Sequence, residues 1–234
     1  MKTWKQIWEN RIIEPIETGD NYDNLLVTLL KADGCDGGSG DSYITADAWL
    51  SYISLIKREL SIDASNSLFE VGCGCGAMLY PFYNTGHVVG GIDYSDVLIR
   101  QAKTVMPNAQ LIQGEASEVD SIEYDFVISN GMFLYCPDYE YASLVMDKMY
   151  KKARKAIAIL DVPDLSLKST SEQIRRDACA DYDKKYNGLA HLYYPQTWFL
   201  EFAEKKQCRK IAILRQNIAC YGYNSLRFNC FIFK

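Results

Sequence analysis

Three glycines and three carboxylates carry the chemistry that can be read from this sequence. Gly72, Gly74 and Gly76 stand in Leu68-Phe-Glu-Val-Gly-Cys-Gly-Cys-Gly-Ala77, where an apolar run gives way to a helical pattern. Glycine has no Cβ, so a turn there can be tight and a ligand can approach the backbone. Glu70 lies two residues before the first glycine. Asp93 closes the next apolar run, where a carboxylate can accept both hydroxyls of a ribose. Glu115 and Ala116 follow a third apolar run, where an acceptor can meet an adenine amino group. Read as Gly72-x-Gly74-x-x-Ala77, the turn also fits the dinucleotide fingerprint, and the motif alone does not separate NAD from other nucleoside ligands.

Acid–base groups are scarce, with two His against 17 Tyr. His191, in Tyr186-Asn-Gly-Leu-Ala-His-Leu-Tyr-Tyr-Pro195, is the candidate catalytic base, because an imidazole takes a proton near pH 7 without a large pKa shift. It reads equally as a structural histidine bonded to backbone. His87 is expected at the surface. Arg175, Arg176, Lys184 and Lys185 could receive an anionic oxygen, with Arg176 the substrate candidate. An anionic acceptor would need no base, and His191 would then bind it. Of the Tyr residues, Tyr135, Tyr193 and Tyr194 are candidates for the substrate pocket. The eight Cys form no CxxC pair. Cys73 and Cys75, one residue apart, cannot complete a tetrahedral site, so small turn-filling thiols and no metal are expected.

These residues must be positioned by alternating strands and helices. Strands are predicted over 68–72, 88–92, 110–113, 124–129 and 156–161, with helices over 77–85, 95–105 and 139–152. That alternation gives βαβ units and a doubly wound, mostly parallel α/β sheet. Strands over 211–216 and 226–233, joined by a turn-rich connection, form a terminal hairpin. Helices are predicted ahead of the sheet: one from Trp4 through Ile12, ended by Pro15, one over 22–32 and one over 43–60. The Asp- and Gly-rich stretch 33–41 lacks the glutamate of an EF-hand and reads as a surface loop. Residues 1–60 are therefore expected to be a helical lid segment packed on a core of 61–234. A further lid insertion is expected at about 162–195.

Composition narrows the function classes. The chain has 234 residues, 48% hydrophobic and 24% charged, with a net charge of −5. Disorder and coiled coils are excluded, and an acidic chain has no field for gripping a phosphate backbone, so no nucleic acid is expected. No run approaches the ~18 apolar residues of a membrane span. MKTWKQIWENR lacks the apolar segment of a signal peptide, so a cytoplasmic protein, monomer or homodimer, is expected.

As a set, Glu70-Val-Gly-Cys-Gly-Cys-Gly76, Asp93, Glu115-Ala116 and the terminal hairpin resemble the class I S-adenosylmethionine-dependent methyltransferases over about residues 43–234. The resemblance implies a seven-stranded, Rossmann-like sheet with its last strand antiparallel, and S-adenosylmethionine as cofactor. It implies that Gly72, Gly74 and Gly76 pass under the cofactor's methionine and ribose, and that Asp93 holds the ribose hydroxyls. Tyr94 would flank the adenine, Glu115 and Ala116 would face its edge, and Asn130 would close the methionine side. Where many members carry Asp-Ala, this chain has Glu115-Ala116. A sulfonium suits aromatic surroundings, and Trp4 and Trp8 could close over it or simply pack their helix. The expected reaction is transfer of a methyl group to a small molecule, at oxygen in preference to nitrogen, with a looser likeness to natural-product enzymes. The rivals are an NAD(P)-dependent reductase and a non-catalytic cofactor-binding protein.

Overall fold

The computed structural model describes residues 3–13, 16, 21–35 and 44–234. Seven strands form one sheet: β1 (Leu68–Val71), β2 (Val89–Asp93), β3 (Gln110–Gln113), β4 (Tyr124–Asn130), β5 (Ala153–Pro163), β6 (Lys210–Arg215) and β7 (Arg227–Phe233), in the order β3-β2-β1-β4-β5-β7-β6. Pairing is parallel from β3 through β5. Only β7 is reversed, slotted antiparallel between β5 and β6. This is the doubly wound, Rossmann-like sheet expected from the sequence. The central strands are covered on both faces, which is why β1 and β7 are buried throughout and carry no in–out alternation.

The helices divide into two layers. On one face α2 (Tyr22–Ala32), α3 (Ala46–Leu60), α4 (Tyr80–Asn84) and α5 (Asp96–Val105) share a core with the sheet. On the other, α6 (Tyr139–Lys152) and α9 (Gln196–Lys205) do the same. Trp49 of α3 donates its Nε1–H to Ala77 O at 2.9 Å, tying this early helix to the segment after the glycine turn. The helix α9 was not read from the sequence; it places Phe199, fully buried, against β7.

Several boundaries depart from the sequence reading. The first helix, α1, spans only Trp4–Glu9: Asn10 turns its side-chain Nδ2–H onto Gln6 O at 2.7 Å and closes it, leaving Ile12 97% exposed. Its expected terminator, Pro15, lies outside the described residues, as do 36–43 of the Asp- and Gly-rich stretch. The β5 strand runs two residues past its expected end. Between β5 and α9 lie α7 (Lys168–Asp177) and α8 (Tyr182–Lys185), and a bridge between Asp164 and Tyr194 closes the base of this segment. His87 is buried rather than at the surface. Its Nδ1 lies 2.9 Å from Asn66 O and its ring packs on Phe82, a structural role.

Candidate active site

In an open α/β sheet, ligands bind beyond the carboxyl ends of the strands where strand order reverses. Here that point lies between β1 and β4. A cavity of about 1210 Å³ opens there, lined from the ends of β1 to β5, from α1, and from residues 175–192. Gly72, Gly74 and Gly76 have φ of +76°, +51° and +88°, a region that side chains strain to enter. A Cβ on Gly72 would stand 2.6 Å from Met132, on Gly74 2.2 Å from Asp33, and on Gly76 2.2 Å from Met106. The chain's own side chains thus fill the room that the sequence reading gave to a ligand. Gly72 and Gly74 still line the cavity, whereas Gly76 faces Met106 and does not.

Asp33 was missed. It caps the C-terminus of α2 and sends its carboxylate into the glycine turn, where Cys75 N–H and Ala77 N–H donate to it at 2.5 and 3.0 Å. Nothing local marks it, because its partners lie more than forty residues away in sequence. Burial outweighs those two hydrogen bonds and pushes the Asp33 carboxyl up to about 7. Glu70, buried on β1, is pushed well above the ordinary carboxylate range by burial and then by the charges of Asp33 and Asp93. Its Oε2 has no partner among the described residues. Asp93 accepts from Gly74 N–H at 2.9 Å and from Ser95 N–H at 2.8 Å, and burial raises its pKa too. Three carboxylates therefore surround the glycine turn.

Around this acidic end, Tyr94, Ala116 and Asn130 line the cavity. Asn130 ends β4, and its Oδ1 is buried without a donor among the described residues. Glu115 also lines the cavity, but both its oxygens are engaged, Oε1 by Lys5 of α1 and Oε2 by the Tyr141 hydroxyl at 3.2 Å. Cys73 and Cys75 are buried, and burial raises both thiols far above their ordinary range, so they pack as neutral groups.

Other parts of the cavity lining are aromatic and basic. Tyr135 stacks edge-on against Trp4 at 5.0 Å and Trp8 at 5.6 Å, with its hydroxyl pushed up to about 12 by burial. Trp4 also lies flat on His191 at 4.6 Å and donates its Nε1–H to Ala190 O at 2.8 Å, joining α1 to the segment before α9. His191 lines the cavity, yet burial, then Arg175, then Arg227 hold its pKa well below the usual value. Arg175 Nη1 donates to His191 Nδ1. Arginine has only donors, so that nitrogen must be the acceptor and the imidazole proton sits on Nε2.

Three substrate candidates are corrected. Tyr193 and Tyr194 do not line the cavity: Tyr193 Oη is held by Arg175 and Ser171, and Tyr194 donates to Phe133 O at 2.9 Å in the α6–α9 core. Arg176, next along α7, is solvated and pairs with Glu172 and Asp183. Its neighbour Arg175 takes the place in the cavity wall. Arg227, at the start of β7, and Asp161, on β5 with φ +55°, also line it and were not singled out. Arg227 Nη1 donates to Asp161 O at 3.1 Å.

Comparison with known proteins agrees with this geometry. Residues 68–156 match a family model described as a methyltransferase domain. Those residues hold the glycine turn, Asp93, Glu115 and Asn130. The segment is a methyltransferase domain, set in a class I methyltransferase fold. Over 79 residues the chain is 34% identical to an uncharacterized methyltransferase of Schizosaccharomyces pombe; the match covers 32% of this chain and 30% of that protein's length. Among solved structures, magnesium protoporphyrin IX methyltransferase from Synechocystis with bound SAH superposes with a TM-score of 0.57 at 14% identity, covering 80% of this chain and 83% of that one. A SAM-dependent methyltransferase from Methanosarcina mazei gives 0.56 at 13% identity, covering 76% and 94%. The family and sheet expected from the sequence are borne out at this level. Among the described residues no helix is long and apolar enough to cross a membrane.

Proposed function

We propose that this methyltransferase binds S-adenosylmethionine at the acidic end of the cavity and transfers its methyl group to a small molecule in the aromatic, basic part, at oxygen in preference to nitrogen. The observation that carries the reading is the set of acceptors around the glycine turn. Glu70 Oε2 and Asn130 Oδ1 are buried without donors among the described residues, beside the carboxylates of Asp33 and Asp93. A cationic, donor-rich ligand such as the methionine ammonium and sulfonium of this cofactor fits that set, whereas a pyrophosphate would be repelled by it. Asp93 has lone pairs left to accept the ribose hydroxyls, and Tyr94 and Ala116 flank the adenine position.

When bound, the cofactor supplies a methyl group on a good leaving group. The chain's part is alignment and exclusion of water. Effective molarities for such alignment reach ~10⁵–10⁸ M. Trp4 and Tyr135, with the lid formed by residues 162–195, close the cavity over the reacting groups. His191 has its acceptor nitrogen spent on Arg175 and a pKa held low, so its role is to position the acceptor and not to take its proton.

The test is turnover: labelled S-adenosylmethionine with pools of small acceptors should yield S-adenosylhomocysteine only when an acceptor is present. Nicotinamide binding, seen as energy transfer from Trp4 or Trp8 to NADH, would count against the reading.

The Asp33 carboxyl adds a pH signature. Ionised Asp33 favours a cation, so cofactor affinity should rise as pH passes upward through about 7, and Asp33→Asn should flatten that profile. The ligand-free protein should show the opposite trend. A carboxyl raised above its unfolded value of 3.8 contributes stability that is full below that value and lost as pH rises through about 7. Calorimetric titrations at pH 6 and 8, with thermal melts of both proteins, check both signs.

A further inference from the structure

Resting on the methyltransferase reading, we infer that the acceptor is an oxyanion, a carboxylate or a phosphate-type group, held by Arg175, Arg227 and the Nε2–H of His191. The buried side-chain atoms without partners among the described residues fall into two sets. On β1 and β4 they are Glu70 Oε2, Asn130 Oδ1, which can only accept, and Ser129 Oγ; the Glu70 carboxyl and the Ser129 hydroxyl can serve either way. The rest are Arg175 Nε, His191 Nε2 and Arg227 Nε, on α7, on the segment before α9 and on β7. All three are donors: arginine has no acceptor atom, and the Arg175 bond to Nδ1 leaves the imidazole proton on Nε2. Each of the three residues lines the cavity. Unmatched buried donors in a cavity lining call for a ligand that accepts.

Charge points the same way. Among the described residues Arg175 has no ion-pair partner; its guanidinium touches only His191, the Tyr193 hydroxyl at 2.9 Å and the Tyr182 ring. Arg227, 8% exposed, faces Asp161 Oδ2 at 3.7 Å. That carboxylate is already shared, since the Tyr221 hydroxyl donates to Oδ2 at 2.9 Å and Gln216 Nε2 to Oδ1 at 3.2 Å. Two guanidinium groups thus stand against one divided carboxylate. Arg175 sits on α7 of the insertion and Arg227 on β7 of the sheet, so an anion between them would also draw the insertion onto the core.

The experiment uses the full chain saturated with S-adenosylhomocysteine and four size-matched probes: benzoate, phenylphosphonate, benzamide and benzylamine. Binding is read by calorimetry. Benzoate or phenylphosphonate should bind, the preferred one naming the oxyanion, while benzamide and benzylamine should bind at least about tenfold more weakly. Arg175→Gln, on a half-exposed helix, should lose about tenfold in anion affinity with S-adenosylhomocysteine affinity unchanged, and Arg227→Gln should do the same. Equal binding of the neutral and charged probes, or anion binding that survives in both variants, would overturn the inference. A wild-type chain that fails to bind S-adenosylhomocysteine in its own titration would instead overturn the cofactor reading.

Discussion

Replacing Asp93 by alanine is expected to weaken S-adenosylhomocysteine binding about 100-fold while the sheet stays folded. The carboxylate stands at the end of β2 with one amide on each oxygen, Gly74 N–H on Oδ2 and Ser95 N–H on Oδ1. The remaining lone pairs face the cavity and meet the ribose hydroxyls in the proposed complex. Hydrogen bonds to a charged group contribute about 1.5–3 kcal/mol each, so losing two costs about 3 kcal/mol or more, or about two decades of affinity. Alanine also frees the Gly74 amide, loosening the glycine turn. Asp93→Asn keeps one acceptor oxygen and should fall between the two proteins. Calorimetry beside far-ultraviolet circular dichroism checks this; an affinity within about threefold of the parent would show that Asp93 does not hold the ligand.

A second large effect should appear far from the site. Lys152, the last residue of α6, has a side chain only 1% exposed, with its ammonium 2.5 Å from Asp120 Oδ1 and over the Phe69 and Tyr124 rings at 4.1 and 5.2 Å. Asp120→Ala leaves that charge buried with only the two rings for company. Removing one partner of a buried pair costs about 3–5 kcal/mol; Asp120 is itself 41% exposed, so about 3 kcal/mol is expected, a fall in Tm of roughly 6–12 °C for a chain of this size. Lys152→Met, which removes the charge and keeps the volume, should be close to neutral. The Lys152 hydrogen bond holds the Asp120 carboxyl below its ordinary range. The contribution of the pair is therefore present above the ordinary carboxylate pKa and is lost as pH falls through the lowered one. Because this pair lies at the opposite end of β4 from Asn130, S-adenosylhomocysteine affinity should not change.

The strands and most helices were legible because each carries its own signal. A buried parallel strand is an apolar run, and α2, α5 and α6 are bounded by capping residues, Asn21, Ser95 and Asp138. The cavity-lining carboxylates Glu70 and Asp93 were legible for a related reason, since each sits at a fixed offset from a strand end. What escaped the sequence was whatever depends on contacts between distant segments. Asp33 reaches the glycine turn across the fold. Arg175 and Arg176 are adjacent on α7, and only the way that helix lies on the cavity selects Arg175. Tyr193 and Tyr194 have the composition of a pocket wall, but their hydroxyls are spent on distant partners, Tyr193 on Ser171 and Arg175 and Tyr194 on Phe133 O. The short α1 was overextended because Trp4, Ile7, Trp8 and Ile12 keep helical spacing, whereas the Asn10 cap that stops the helix is a single side-chain contact.

The central claim, that the acidic glycine turn holds a sulfonium nucleoside, meets its most direct test in calorimetric titration of the full chain with S-adenosylhomocysteine and, separately, with NAD and NADH. The expected result is one S-adenosylhomocysteine site per chain, abolished or strongly weakened by Asp93→Ala, and no heat from either nicotinamide nucleotide. Binding of NADH with no response to S-adenosylhomocysteine would contradict the account.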